Sequence, residues 1–262
     1  MMKILKWIFI AIAGLMVCGF LSFMITTKMI GNQNVSQQAN TYQDDKSQNK
    51  KLKVNAGEYN LGVKEEDFRN AFNENAKSEL KDLKIGLVKE NIDLYEGDVA
   101  HSYNSIVTPY SQHLFVSYEP DTQLVRGIML TGNPQDELEA IHYIGVITNI
   151  VAILNPDLSP EERTNILKKL GMFDGKKTNY RALDTSTQNG NITYKIKGTE
   201  KSVDFMVTAK GMNTVTKAST NANDPHNFKL DYDKYIMWKT KVYLNRKQGA
   251  AKYNEMKERL TK

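Results

Sequence analysis

The chain has 262 residues, which is long enough for one or two domains with an apolar core of their own. Its mean hydropathy of −0.50 and its 25% of charged residues exclude a protein that crosses a membrane many times. The net charge of +5 belongs to the C-terminal part, because residues 229–262 hold ten Lys and Arg against four Asp and Glu, a surplus of six, so residues 1–228 sum to minus one. With a single cysteine, Cys18, the chain forms no internal disulfide.

The first 27 residues form the most apolar part of the sequence. From Trp7 to Ile25 nineteen residues carry no charge, and they follow the basic start MMKILK. A helix of this length is roughly 28 Å long, close to the hydrocarbon thickness of a bilayer. We predict a short basic cytoplasmic start over 1–6 and a transmembrane signal-anchor helix over 7–27.

Two alternatives stay open for this segment. Cys18 would be the lipidation site of a bacterial lipoprotein, although Val17 stands where such sites carry a small residue and the chain stays apolar beyond Cys18. An ordinary cleaved signal peptide needs small residues at the cut, and residues 22–28 offer no such pair. In a spanning helix Cys18 is a small apolar residue with no redox role.

The charges that flank the apolar run predict its orientation. More positive charge lies just before the run than just after it, where Lys28 follows. By the positive-inside rule the N-terminus is inside and the C-terminal domain outside, so we predict a single-pass protein of the bacterial cytoplasmic membrane. Residues 28–56 are rich in Asn, Gln, Ser and Lys and predict a flexible polar tether.

Residues 57–210 predict an α+β extracytoplasmic domain. Apolar residues at helical spacing predict a one-sided helix over 64–80. Short apolar runs then predict an antiparallel meander in which Pro120 occupies the second position of a type I turn. These strand-like runs lie at 85–94, 105–107, 113–118 and 124–130.

Two helices follow. Asn133 is the expected N-cap of the first, which should stop before Asn155 and is apolar nearly all round in its second half, so we expect it to be buried on several sides. The second should start at Ser159, where Glu162 completes an S-x-x-E capping box, and end at Gly171.

A hairpin and a further strand complete the predicted domain. The runs 180–186 and 192–197 flank Asn189-Gly190, a strong signal for a type I′ turn, and residues 203–208 predict a third strand. The predicted fold class is therefore α+β, with an N-terminal transmembrane helix, a flexible tether, and an antiparallel sheet packed with about three helices in a two-layer sandwich.

Residues 211–262 predict a loop, an aromatic and basic segment, and a polar helix from 247 to 262. The basic segment is a weak candidate for binding, because rings interleaved with lysines can hold an anionic surface or a protein. Besides the membrane, reached through residues 7–27, the candidate partners are a protein of unknown identity, an anionic envelope polymer and lipid headgroups; nucleic acid is not expected for an exported domain. In the plainer alternative the rings pack on the sheet and the lysines lie in water. The candidate residues are Lys229, Tyr232, Tyr235, Trp238, Lys239, Lys241, Tyr243 and Arg246.

No stretch of the sequence carries a recognised catalytic, metal or cofactor motif. The four histidines form neither H-x-H nor H-E-x-x-H, and Asp121, Asp231 and Asp233 lie outside any calcium-loop pattern. We therefore predict no enzyme activity, no cofactor and no metal. The predicted function is that of a membrane-anchored extracytoplasmic binding protein, such as an accessory or protective component of a bacterial envelope assembly. The alternatives are an exported lipoprotein that carries a small ligand between sheet and buried helix, and an envelope enzyme with a dispersed site.

Overall fold

The computed structural model of the chain describes residues 52–88, 93–173, 178–214 and 224–260, and the side chains of these ranges as far as residue 247. The predicted cytoplasmic start, the predicted span with Cys18 and most of the predicted tether lie outside the described residues. The last part of the tether, residues 52–56, is described. There Leu52, Val54 and Ala56 pack against the apolar core, so the packed body extends about five residues further towards the N-terminus than the sequence indicated.

Seven antiparallel strands form one sheet in the spatial order β1-β2-β3-β4-β7-β6-β5. The sheet consists of two meanders, β1 to β4 and β5 to β7, which are joined where β4 pairs with β7. This confirms the predicted α+β class and the antiparallel sheet. The strands are β1 Tyr95–Glu96, β2 His101–Ile106, β3 His113–Tyr118, β4 Val125–Gly132, β5 Asp184–Asn189, β6 Ile192–Gly198 and β7 Val203–Ala209.

Four α-helices accompany the sheet: α1 Glu65–Lys77, α2 Glu137–Leu154, α3 Pro160–Lys169 and α4 Phe228–Leu260. The capping box of α3 is present, since Ser159 and Glu162 each bond the other's backbone N–H. The N-cap of α2 is Asp136 and not Asn133, because the Asp136 carboxylate accepts the bond from the Glu139 N–H. The first of the two predicted helices therefore starts three residues later than expected.

The main core lies between one face of the sheet and α1, α2 and α3. Helix α2 is long and apolar enough to span a membrane, but ten of its residues are buried against this core, which accounts for its composition. The buried Tyr143 hydroxyl points at the carbonyls of Leu130 and Val203 and donates to one of them, which ties α2 to β4 and β7. Asn149 links α2 to α1 through Asn75.

Two local predictions differ from the structure. Asn189 pairs with Ile192, so the central turn residues are Gly190 and Asn191, and of these Gly190 has a positive φ of 58°. One positive φ at the first central position fits a type II′ turn and not the predicted type I′ turn. Residues 85–88 form no strand; the Gly86 N–H bonds the Val107 carbonyl, and Ile85 and Val88 are buried in the main core.

Helix α4 lies on the opposite face of the sheet and adds a third layer to the predicted two-layer sandwich. The sequence predicted a helix from Lys247 onward, but α4 starts at Phe228. The missed part has its own helical periodicity, because Phe228, Asp231 and Tyr235 recur at a spacing of three and four residues and are all buried. The aromatic segment and the polar helix are thus one continuous helix.

Candidate functional site

The face of the sheet beneath α4 holds a second, smaller apolar cluster. Phe115, Met129 and Met206, from β3, β4 and β7, are buried there under Phe228 and Tyr235 of α4. The first turn of α4 comes so close that a β-carbon on Gly127 would lie 2.5 Å from the Phe228 ring. A glycine at position 127 therefore sets how closely α4 approaches the sheet.

A buried ion pair fixes the same turn of α4. Ser117 pairs with Gly127 and Tyr118 pairs with Val125, so Arg126 is the extra residue of a β-bulge. Such a bulge re-aims a side chain. Here the Arg126 Nε lies 3.0 Å from the Asp231 Oδ2.

Two further bonds complete this cluster. The Ser117 hydroxyl donates to Asp231 over 2.7 Å, and the Arg126 guanidinium also donates to the Pro225 carbonyl. Burial raises the pKa of Asp231, while the neighbouring Arg126 charge and the hydroxyl of Ser117 pull that pKa down in part. These bonds join Asp231 of α4 to Ser117 and Arg126 of the sheet, which indicates a structural role.

The aromatic candidates from the sequence pack on the sheet. Tyr235 is fully buried, and Tyr232 and Trp238 are partly buried beside it. The Tyr232 ring meets Phe115 edge-on at 5.2 Å, and the Trp238 ring lies 5.7 Å from that of Tyr95. These three rings hold α4 in place.

The basic candidates fall into two groups. Lys229 pairs with Asp233 at 2.5 Å, and Lys239 pairs with Asp93 at 2.9 Å, so both lysines are partly neutralised within the protein. Lys241 and Arg246 are exposed on α4, as is the aromatic candidate Tyr243. The structure therefore does not bring the eight candidate residues together on one surface.

The side of α4 that faces away from the sheet carries an apolar stripe. Met237, Tyr243 and Leu244 are 63%, 62% and 48% exposed, and Ile236 is 38% exposed. At about 100° per residue these side chains point away from the buried face of α4. We call the following set the outer stripe: Ile236, Met237, Thr240, Tyr243 and Leu244.

Of the outer stripe, only Tyr243 was among the candidate residues predicted from the sequence. Ile236, Met237 and Leu244 were missed because residues 228–246 were not assigned to a helix. The signal was present in the sequence, since apolar residues recur at helical spacing on two sides of this segment at once. One set packs on the sheet and the other is left in solvent.

A pocket of about 360 Å³ lies between α4 and residues 97–100 of the β1–β2 connection. Its charged groups are Asp98, Asp231, Lys234 and Lys241, and Asp231 is already bonded to Arg126 and Ser117. Only part of its charge is therefore available to a ligand.

The histidines lie at separate places. His113 bonds Asn104 over 2.9 Å, His142 donates to the Leu138 carbonyl, and His226 stacks on Tyr59. Burial lowers the pKa of His113, and the Lys239 charge lowers it further. Within the described ranges, no group of three or more His, Cys, Asp and Glu side chains is arranged to hold a metal ion.

Comparison with known proteins gives no relative from which a function could be inferred. No protein-family model matches the chain, and no curated protein or solved structure matches it significantly. The functional argument therefore depends on the geometry of the chain itself.

Proposed function

We propose that the chain is a binding protein that docks a partner protein on the outer stripe of α4. The observation that carries the proposal is the exposure of Met237, Tyr243 and Leu244 on one side of a helix whose other side is packed on the sheet. Exposed apolar side chains that lie next to one another are typical of interaction sites, whereas single exposed apolar residues are common on any surface. An apolar helix face is a recurrent way of binding another protein.

Charged side chains border the outer stripe. Asp233 precedes it along α4, and Lys241 and Lys247 lie beside and after it. An apolar centre with a charged rim is the usual anatomy of a protein interface. An anionic polymer or lipid headgroups have less support, because Lys229 and Lys239 already pair with carboxylates of the same chain.

The proposal includes the location predicted from the sequence. An anchor over 7–27 would hold the described body outside the bacterial cytoplasmic membrane, at the end of the polar tether. A tether of about 25 residues has a root-mean-square span of roughly 25–30 Å. The body would then meet its partner clear of the bilayer surface, as an accessory or protective component of an envelope assembly does.

Thiol labelling in the host membrane tests this function. Met237→Cys, in a chain whose Cys18 is replaced by Ser, is compared with Glu200→Cys, which places a thiol on an exposed loop. Each labelling rate with a water-soluble maleimide is divided by the rate in the urea-unfolded chain. We expect severalfold protection at position 237 and none at position 200. Equal labelling at the two positions would remove the basis of the proposal.

A further inference from the structure

We infer that the partner on the outer stripe is a second copy of this chain, bound as an antiparallel helix pair whose two-fold axis passes Thr240. The inference rests on the proposed function and names its partner. A two-fold contact uses the same patch on both subunits, so the patch must be complementary to itself. The outer stripe meets this condition in its apolar residues, and the charged residues at its two ends, Asp233 and Lys247, meet it as well.

The apolar residues are symmetric about Thr240. In an antiparallel pair centred there, Ile236 and Met237 of one copy face Leu244 and Tyr243 of the other. Thr240 is smaller than its four neighbours in the outer stripe, and a small residue at the crossing point lets two helices approach closely. Each large apolar side chain thus meets another one across the axis.

The charged residues at the two ends of the outer stripe are complementary under the same symmetry. Asp233 stands seven residues before Thr240 and Lys247 stands seven residues after it. The axis therefore brings Asp233 of each copy next to Lys247 of the partner subunit, twice per pair. Asp233 keeps 47% of its side chain exposed despite its bond to Lys229, and a carboxylate can accept bonds from two cations.

Helix α4 leaves room for this contact. It has 33 residues, a length of roughly 50 Å. Among its side chains that the structure describes, the last buried one is Tyr235, and every side chain from Tyr243 to Lys247 is exposed. Five residues a side are far fewer than the 20–30 of a standard stable interface. The pair is therefore weak and reversible in dilute solution, and chains anchored in one membrane gain from their raised local concentration.

The alternative occupants fit the charges less well. A membrane surface would place the Asp233 carboxylate next to anionic headgroups, which repel it. The symmetric placement of Asp233 and Lys247 about Thr240 would not contribute to binding a lipid surface.

Cysteine cross-linking tests the geometry. Each cysteine variant is made in the full-length chain that also carries Cys18→Ser. If Cys18 is lipidated it has no free thiol, and the variants are then made in the chain that keeps Cys18. Thr240→Cys should form a disulfide-linked dimer under mild oxidation in the membrane. Arg246→Cys, exposed on another side of the same helix, is the matched control and should cross-link at least tenfold more slowly.

A mixture of two variants tests the register. Asp233→Cys and Lys247→Cys should each cross-link poorly alone, because in the pair like positions lie about 14 residues, or roughly 21 Å, apart along the axis. Co-expressed, they should cross-link to each other. A charge swap adds a second measurement: Asp233→Lys should lower the yield of Thr240→Cys dimer, and Asp233→Lys with Lys247→Asp should restore it.

The outcomes separate this inference from the proposed function. Suppose that Thr240→Cys cross-links no faster than Arg246→Cys and yet is protected from maleimide. In that case something other than a second copy covers the outer stripe, so the inferred dimer is wrong and the proposed function stands. If Thr240→Cys neither cross-links nor is protected, both are wrong. A dimer in which Asp233→Cys and Lys247→Cys fail to join would overturn the antiparallel register.

Discussion

The contact between Arg126 and Asp231 is a buried ion pair that attaches α4 to the sheet. Both side chains are buried, and the carboxylate also receives the Ser117 hydroxyl. Removal of one partner from a buried ion pair leaves an uncompensated charge and typically costs about 3–5 kcal/mol. Asp231→Ala should therefore lower the free energy of unfolding of the full chain by about that amount, measured by denaturation followed through tryptophan fluorescence.

The double variant Arg126→Met with Asp231→Leu is the control for this prediction. It removes both charges and keeps apolar volume, so it should be more stable than Asp231→Ala alone. A double variant that is as unstable as the single one would show that the bonds to Ser117 and Pro225, and not the unpaired charge, set the cost.

His113 gives the chain a pH dependence with a definite sign. Burial and the Lys239 charge lower its pKa in the folded state below the ordinary value of 6.5. Between the two pKa values the unfolded chain binds more protons than the folded one, so stability rises with pH in this window and is lost as the pH falls below about 6.5. The loss in unfolding free energy between pH 7.5 and pH 5.5 should therefore be smaller in His113→Gln than in the wild type.

Glutamine keeps a donor for the Asn104 oxygen but does not titrate, so His113→Gln isolates the proton from the hydrogen bond. Equal losses in the two proteins would show that the imidazole titrates alike in the folded and unfolded chains.

Residues that act through their neighbours in sequence were predictable, and residues that act across the fold were not. The capping box of Ser159 and Glu162 was predicted because its two members are three positions apart. Arg126 and Asp231 are 105 positions apart, and their contact depends on a bulge that changes the direction of one side chain. Nothing in the local pattern at either residue indicates the other.

At the scale of elements, the close approach of α4 to the sheet depends on Gly127. A methyl group there would overlap the Phe228 ring, and overpacking of this kind usually costs about 1–3 kcal/mol. Gly127→Ala should therefore raise amide hydrogen exchange in the first turns of α4 while that of α2 stays unchanged. Phe228→Leu in the same chain should recover part of the protection.

If exchange in α2 and α4 rises equally in Gly127→Ala, the clash weakens the whole domain and α4 does not detach as a separate unit. The comparison depends on α2 and α4 lying on opposite faces of the sheet, in separate apolar clusters.

The predicted elements differ in how far the sequence could place them. Helix α2 was predicted to within a few residues at its start, since its apolar length and the following Asn155-Pro156 are strong local signals. The first half of α4 was missed, because its aromatic and β-branched residues are poor helix formers in isolation. Packing against Phe115 and Met206 supplies the stabilisation of the helix that its local propensity does not provide.

For the whole molecule, the order of the predicted helices and strands along the chain indicated the α+β class but not the third layer. The strands β2 to β7 and the first three helices overlap segments predicted from local periodicity, and β1 does not. The face on which a helix packs depends on contacts that no short pattern encodes. The same limit applies to the candidate site. The sequence indicated residues 228–246 as the candidate segment, but not which side of it is buried and which is left in solvent.

The predicted membrane anchor can be tested by measuring the intact mass of the protein. Protein extracted from the membrane fraction should have the mass of the full chain, 29.8 kDa, apart from processing of the initiating Met. Cys18→Ser should leave membrane attachment unchanged, since the thiol has no role in a spanning helix. A chain that begins at Cys18 with acyl groups attached would contradict the signal anchor and identify a lipoprotein.

The central claim is that protein covers the outer stripe of α4, and photo-cross-linking in the host membrane tests it most directly. A benzophenone amino acid replaces Met237 in one chain and Glu200 in another. We expect position 237 to give a discrete protein adduct, with a second chain of 29.8 kDa if the partner is a copy, and position 200 to give none. Adducts with lipid alone, or identical products at both positions, would contradict the claim.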